Sequence, residues 1–213
     1  KEDYISTNKH RFYIMQNKDS IINFRLNFIV SNREYMNFKL LKLNLKIAWL
    51  KFSGKIELIK NSSNFSLNDL ESPKILIILP IEKELIDKSI QSISKVMEYY
   101  KNKDSDFVII INNHLKHKLN FYNMKTHRFD ISKKNKINNY KDILDKVFYD
   151  DFDIVIDLNV NFIFDISMFI QQLKSNYKIG FVSNYSDFFY NIQLQTDKNN
   201  PSYKSLDYLL GKI

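Results

Sequence analysis

The sequence predicts an α/β, Rossmann-like domain with a mainly parallel sheet, and three observations carry that prediction. First, KILIILP (74–80), DFVIIINN (106–113) and DIVIDLN (153–159) are short, continuous apolar runs, the pattern of strands buried on both faces. Second, stretches with helical spacing separate them, KELIDKSIQSISKVMEYYKN (83–102) and NNYKDILDKVFYDD (138–151). Third, each strand run ends in polar residues, where a parallel strand leaves the core. Strands alternating with helices imply right-handed βαβ crossovers, which put helices on both faces of the sheet.

Taken in order, HRFYIMQNKDSIINFRLNFIVSN (10–32) reads as a hairpin with NKDS as its turn. Residues 33–52, REYMNFKLLKLNLKIAWLKF, contain no Gly or Pro, and Lys39, Lys42 and Lys46 recur on one helical face. Leu43, Leu45, Ile47 and Trp49 also alternate as in a strand, but length and freedom from breakers favour a helix. The polar stretch 61–73 is a linker, so the expected division is a basic N-terminal extension, 1–72, and a Rossmann-like domain, 73–213. Within that domain, HRFDIS (127–132) is a weaker strand, and Asn138 or Asn139 is the natural N-cap of the helix over 138–151. ISMFIQQLKSN (166–176) is a helix, KIGFVSN (178–184) a strand, FFYNIQLQ (188–195) another strand and SYKSLDYLLGKI (202–213) a final helix.

The formal net charge is +8, distributed unevenly. Residues 1–72 hold 12 Lys/Arg against 7 Asp/Glu, and residues 73–213 hold 20 against 17. The shorter part therefore carries most of the excess, which points to an anionic partner there, RNA or another polyanion, or a protein. Part of the basic balance matches the Lys-, Asn- and Ile-rich bias of AT-rich coding. The absence of Cys removes disulfides, thiolate nucleophiles and Cys-based zinc sites. With three glycines in all, the chain has neither a dinucleotide fingerprint nor a P-loop, and no cofactor is expected. No apolar run reaches the ~20 residues of a membrane span, and the first residues lack the apolar core of a signal peptide, so a cytoplasmic location is expected.

In open α/β sheets ligands bind beyond the carboxyl ends of the strands. The candidates there are Glu82 and Glu84 after the first strand, Asn112 and Asn113 after the second, and Asp157 and Asn159 after the strand over 153–159. One reading is a shared ligand cleft in which Glu82 or Glu84 is a general base. The blander reading, that strands end where polarity begins, is favoured. Asp157, Asn159 and Asn161 mimic the opening of a calcium loop, but Phe162 and Met168 stand where that loop needs Gly and Glu. His114 and His117 sit in a polar, basic turn, and no metal site is expected. Lys39, Lys42 and Lys46, with Arg33, Lys51, Lys55 and Lys60 near them, form the candidate surface for an anionic partner or an anionic membrane.

Residues 140–194 resemble the N-terminal half of the glycosyltransferase family 9 heptosyltransferases. The resemblance rests on Phe152-Asp153-Ile154-Val155-Ile156-Asp157-Leu158, Lys178-Ile179-Gly180-Phe181 and Phe189-Tyr190-Asn191. With KILIILP as first strand it extends over roughly residues 73–212. It implies half of a GT-B fold and a cleft for an acceptor. In the family a Gly-Asp pair follows the first strand, and its Asp is taken as the catalytic base. Here Glu84 and Leu85 occupy those positions, and the second, donor-binding domain of the family has no counterpart in the sequence. The resulting expectation is a non-catalytic binding protein on a degenerate half-domain, docking to a protein partner through its basic N-terminal region. The alternatives are the acceptor-binding half of a nucleotide-sugar-dependent glycosyltransferase and an RNA- or ribosome-associated protein.

Overall fold

The computed structural model describes residues 38–59, 70–115, 124–197 and 200–209. The chain divides into two compact units, Lys1–Lys55 and Ile56–Ile213. This division falls earlier than the boundary expected at 72/73. The residues just after it already belong to the second unit, where the Ile59 N–H donates to the Asp187 carbonyl at 3.0 Å. The expected hairpin over 10–32 and most of the linker over 61–73 lie outside the described residues.

The first unit contributes one described helix, α1 (Phe38–Phe52). Of the helix expected over 33–52, residues 33–37 lie outside the described residues; it ends at a turn in which Gly54 takes φ +66°, a conformation that glycine adopts without strain.

The second unit is a six-stranded sheet. In chain order its elements are β1 (Lys74–Ile78), α2 (Lys83–Tyr100), β2 (Asp106–Asn112), β3 (Lys125–Phe129), α3 (Tyr140–Val147), β4 (Phe152–Asp157), α4 (Phe164–Gln172), β5 (Ser175–Phe181), β6 (Ile192–Leu194) and α5 (Lys204–Leu209). Every pairing is parallel and the order is β3-β2-β1-β4-β5-β6, the Rossmann order. The predicted α/β, parallel, Rossmann-like class is the observed one.

The apolar runs lack alternation because both faces are covered. Ile75, Ile77, Ile109, Ile111, Ile154 and Ile156 pack in one core with Ile93 and Val96 of α2 and Leu206 of α5. On the other face Ile78 and Ile110 line a small apolar hollow with Ile143 of α3 and Ile166 and Phe169 of α4. Burial of a strand side chain of this size contributes roughly 1.5–3 kcal/mol, so these isoleucines hold the sheet between its helices.

Several boundaries differ from the sequence expectation, each for a local reason. Helix α4 stops at Gln172 because Leu173 turns to extended backbone (ψ 142°) and Ser175 already pairs with Phe152. The expected strand over 188–195 shrinks to Ile192–Leu194. A short 3-10 turn, Ser186–Phe188, precedes it, and Tyr190 still bonds back to the Ser186 carbonyl. Asn139 precedes α3 but does not cap it: its Oδ1 accepts from the Asp130 N–H, and its Nδ2 donates to the Arg128 carbonyl. The last helix is described only over Lys204–Leu209.

Candidate functional site

The strand order reverses between β1 and β4, and a Rossmann sheet presents its ligand crevice beyond the carboxyl ends of such a pair. Ile78 of β1 is in register with Asp157 of β4. Two loops leave at this point: residues 79–82 lead into α2, and residues 158–163 lead into α4.

Asp157 is 2% exposed, and both carboxylate oxygens are engaged. Oδ1 accepts from the Asn159 backbone N–H at 2.9 Å and from Asn159 Nδ2 at 2.7 Å. Oδ2 accepts from the Tyr190 hydroxyl at 2.6 Å, and that hydroxyl lies 3.1 Å from Ser167 Oγ of α4. Burial raises the Asp157 pKa to about 6, against the opposing pull of the Tyr190 and Asn159 hydrogen bonds, and the nearby Glu82 charge adds to the rise. Burial, followed by the Asp157 charge, holds the Tyr190 phenol well above its ordinary value.

The local sequence explains this layer. Ile179 and Phe181 of β5 point to the α2/α5 core, so Gly180 between them faces α4. A Cβ at Gly180 would lie 2.6 Å from Cε1 and Cζ of Tyr190. Glycine therefore leaves the space in which the Tyr190 ring crosses β5 and brings its hydroxyl to Asp157.

Asn159 joins the two loops. Its Oδ1 accepts from the Ile81 N–H at 3.0 Å, while Nδ2 lies 3.5 Å from the Leu79 carbonyl. One step further out, Asn161 Nδ2 donates to Glu82 Oε1 at 3.0 Å. Glu82 stands at the N-cap position of α2 without capping it, and its Oε2 is buried with no hydrogen-bond partner. Glu84, in the first turn of α2, is exposed to solvent.

The structure thus brings Glu82, Asp157 and Asn159 together at the reversal of strand order and leaves the other candidates elsewhere. Asn112 is buried at the end of β2, where its Oδ1 accepts from the His114 N–H. Asn113 donates to Asp130 at 2.6 Å, tying the end of β2 to the loop after β3. Lys39, Lys42 and Lys46 lie on α1, with Lys42 and Lys46 exposed. His117 is outside the described residues, and among those described no group of three or more His, Asp or Glu side chains is placed to hold a metal ion.

Sequence reasoning missed Tyr190 and Ser167 as partners of Asp157. The available signal was Gly180, since a glycine inside an apolar strand marks a close approach by a bulky neighbour.

Comparison with known proteins adds one likeness. No family model and no curated protein matches the chain. Among solved structures it is similar to the crystal structure of a glycosyl transferase family 9 protein from Veillonella parvula DSM 2008, at 15% identity and a TM-score of 0.45. The match covers 67% of this chain and 40% of that one. The strand order and the parallel register define the Rossmann-like class independently of this likeness.

Proposed function

We propose that the protein is a non-catalytic binding protein built on a glycosyltransferase-like, Rossmann-like scaffold, with its basic N-terminal region as the docking part. One observation carries the non-catalytic half of this reading. The polar side chains at the reversal of strand order are engaged within the protein: Asp157 with Tyr190 and Asn159, Asn159 also with the backbone N–H of Ile81, and Asn161 with Glu82. A sugar acceptor entering between the two loops would have to displace bonds that hold the loops together. The docking half rests on the charge excess of residues 1–72 and on the exposure of Lys42 and Lys46.

The test is to incubate the full chain with a panel of nucleotide sugars and measure nucleotide release. The expected result is release at the buffer rate. Release above that rate, abolished by Glu82→Gln, would overturn the reading.

A second reading is favoured by Glu82 alone. Its Oε2 is buried and has no hydrogen-bond partner, beside the start of α2, where an acceptor hydroxyl would need a base. On this reading the chain is the acceptor-binding half of a nucleotide-sugar-dependent glycosyltransferase. Turnover that appears only with a second Rossmann-like protein, and is lost in Glu82→Gln, would establish it.

A further inference from the structure

Helix α1 has an apolar stripe that faces solvent. Leu41, Leu45, Ala48 and Phe52 recur at i, i+4, i+7 and i+11, the spacing of a single helical face. All four are exposed, Leu45 to 63% and Phe52 to 92%. Trp49, 55% exposed, borders the stripe with the Lys55 ammonium 4.6 Å from its ring centroid. Ile47 and Leu50, on the opposite side of the helix, are buried. The segment contains Lys39, Lys42, Lys46 and Lys51 and no acidic residue. By helical spacing, Lys42 falls on one edge of the stripe and Lys51 on the other.

We propose that α1 is an in-plane anchor that inserts this stripe into the surface of an anionic lipid bilayer. The proposal rests on the reading that the N-terminal region is the docking part, and it names the chemistry of the partner. An interfacial helix places Leu, Phe and Trp at the boundary of the acyl chains and keeps lysines at the level of the headgroups. The composition of α1 follows that division. Its charge is of one sign throughout, complementary to anionic headgroups on both edges of the stripe. RNA fits this face less well, because phosphates need cations at the centre of the contact and the centre here is Leu41, Leu45, Ala48 and Phe52. No helix among the described residues is long and apolar enough to cross a membrane, so the contact lies along the surface.

The chain has one tryptophan, so the fluorescence of Trp49 reports on this helix alone. The experiment mixes the full chain with vesicles of phosphatidylcholine containing phosphatidylglycerol, and with vesicles of phosphatidylcholine only. It measures co-sedimentation and the Trp49 emission maximum. The expected result is co-sedimentation and a blue shift with the anionic vesicles, weakened by salt. Leu45→Glu combined with Phe52→Glu should lower partitioning at least ten-fold with unchanged far-UV circular dichroism, because both side chains are exposed. Lys42→Gln and Lys51→Gln should each lower it about five-fold. Equal binding to both vesicle types, sedimentation without a blue shift, or concentration-dependent self-association lost in the same double variant would overturn the proposal. If vesicles fail but RNA or an acidic protein is retained through Lys42 and Lys46, the lipid proposal falls and the docking reading stands. Nucleotide-sugar turnover with intact vesicle binding would defeat only the non-catalytic reading.

Discussion

The Tyr190 hydroxyl donates to Oδ2 of Asp157 at 2.6 Å, joining two fully buried groups 33 residues apart. The carboxylate of Asp157 projects into an apolar layer between the sheet and α4, where an unpaired charge would be costly. Tyr190 on one oxygen and Asn159 on the other supply the compensation.

Tyr190→Phe keeps the ring against Gly180 and removes only the hydroxyl. It should destabilise the fold by about 1–3 kcal/mol, the usual cost of leaving a buried acceptor short of a donor. Urea unfolding of the two proteins measures this. Equal stability at pH 7 would show that Asp157 does not depend on that bond.

The raised pKa of Asp157 has a consequence for stability. Its folded value is about 6, against 3.8 when unfolded. The folded state therefore binds the proton more tightly, and the stabilisation it contributes is present below about pH 4 and lost as pH rises through 6. Asp157→Asn cannot titrate, yet keeps an oxygen for Asn159 and lets the Tyr190 hydroxyl accept from its amide while donating to Ser167. The stability of the parent relative to this variant should fall between pH 4 and pH 7, by roughly 2 kcal/mol. A constant difference over that range would contradict the assignment.

Gly180→Ala puts a Cβ against the Tyr190 ring at 2.6 Å. Overpacking of this kind costs about 1–3 kcal/mol. The same substitution in a Tyr190→Leu background should cost less, because the ring that resists the methyl group is gone. A double-mutant cycle by thermal or urea unfolding reads the coupling, and additive effects would mean that the two residues do not press on each other.

Asn159→Ala removes the side chain that links the loop after β1 to the loop after β4. The Ile81 amide loses its acceptor, and its hydrogen exchange should accelerate well beyond that of the Ile77 amide inside β1. The expected loss of global stability is about 1–3 kcal/mol. Unchanged protection at Ile81 would show that the loops are held by something other than Asn159.

The sequence by itself determined the class of fold. Ile75–Leu79, Val108–Ile111 and Ile154–Ile156 are apolar without alternation because helices cover both faces, and that pattern survives in one dimension. Boundaries were less legible where two tendencies overlap. Ser175 and Asn176 continue the polarity of the end of α4, but pairing opposite Phe152 makes Ser175 a strand residue. Asn139 has the right type and position for a cap, yet its amide is used across the loop to Arg128 and Asp130. Only the tertiary structure decided the strand order, and with it that Glu82, Asp157 and Asn159 meet while Asn112 and Asn113 do not. It also decided what Asp157 is for. Its partner Tyr190 is 33 residues away, and Asn159 reaches Ile81 across 78. Such pairings depend on register, which has no local signature in the chain; Gly180 marks a close approach to β5 but does not say that Tyr190 makes it.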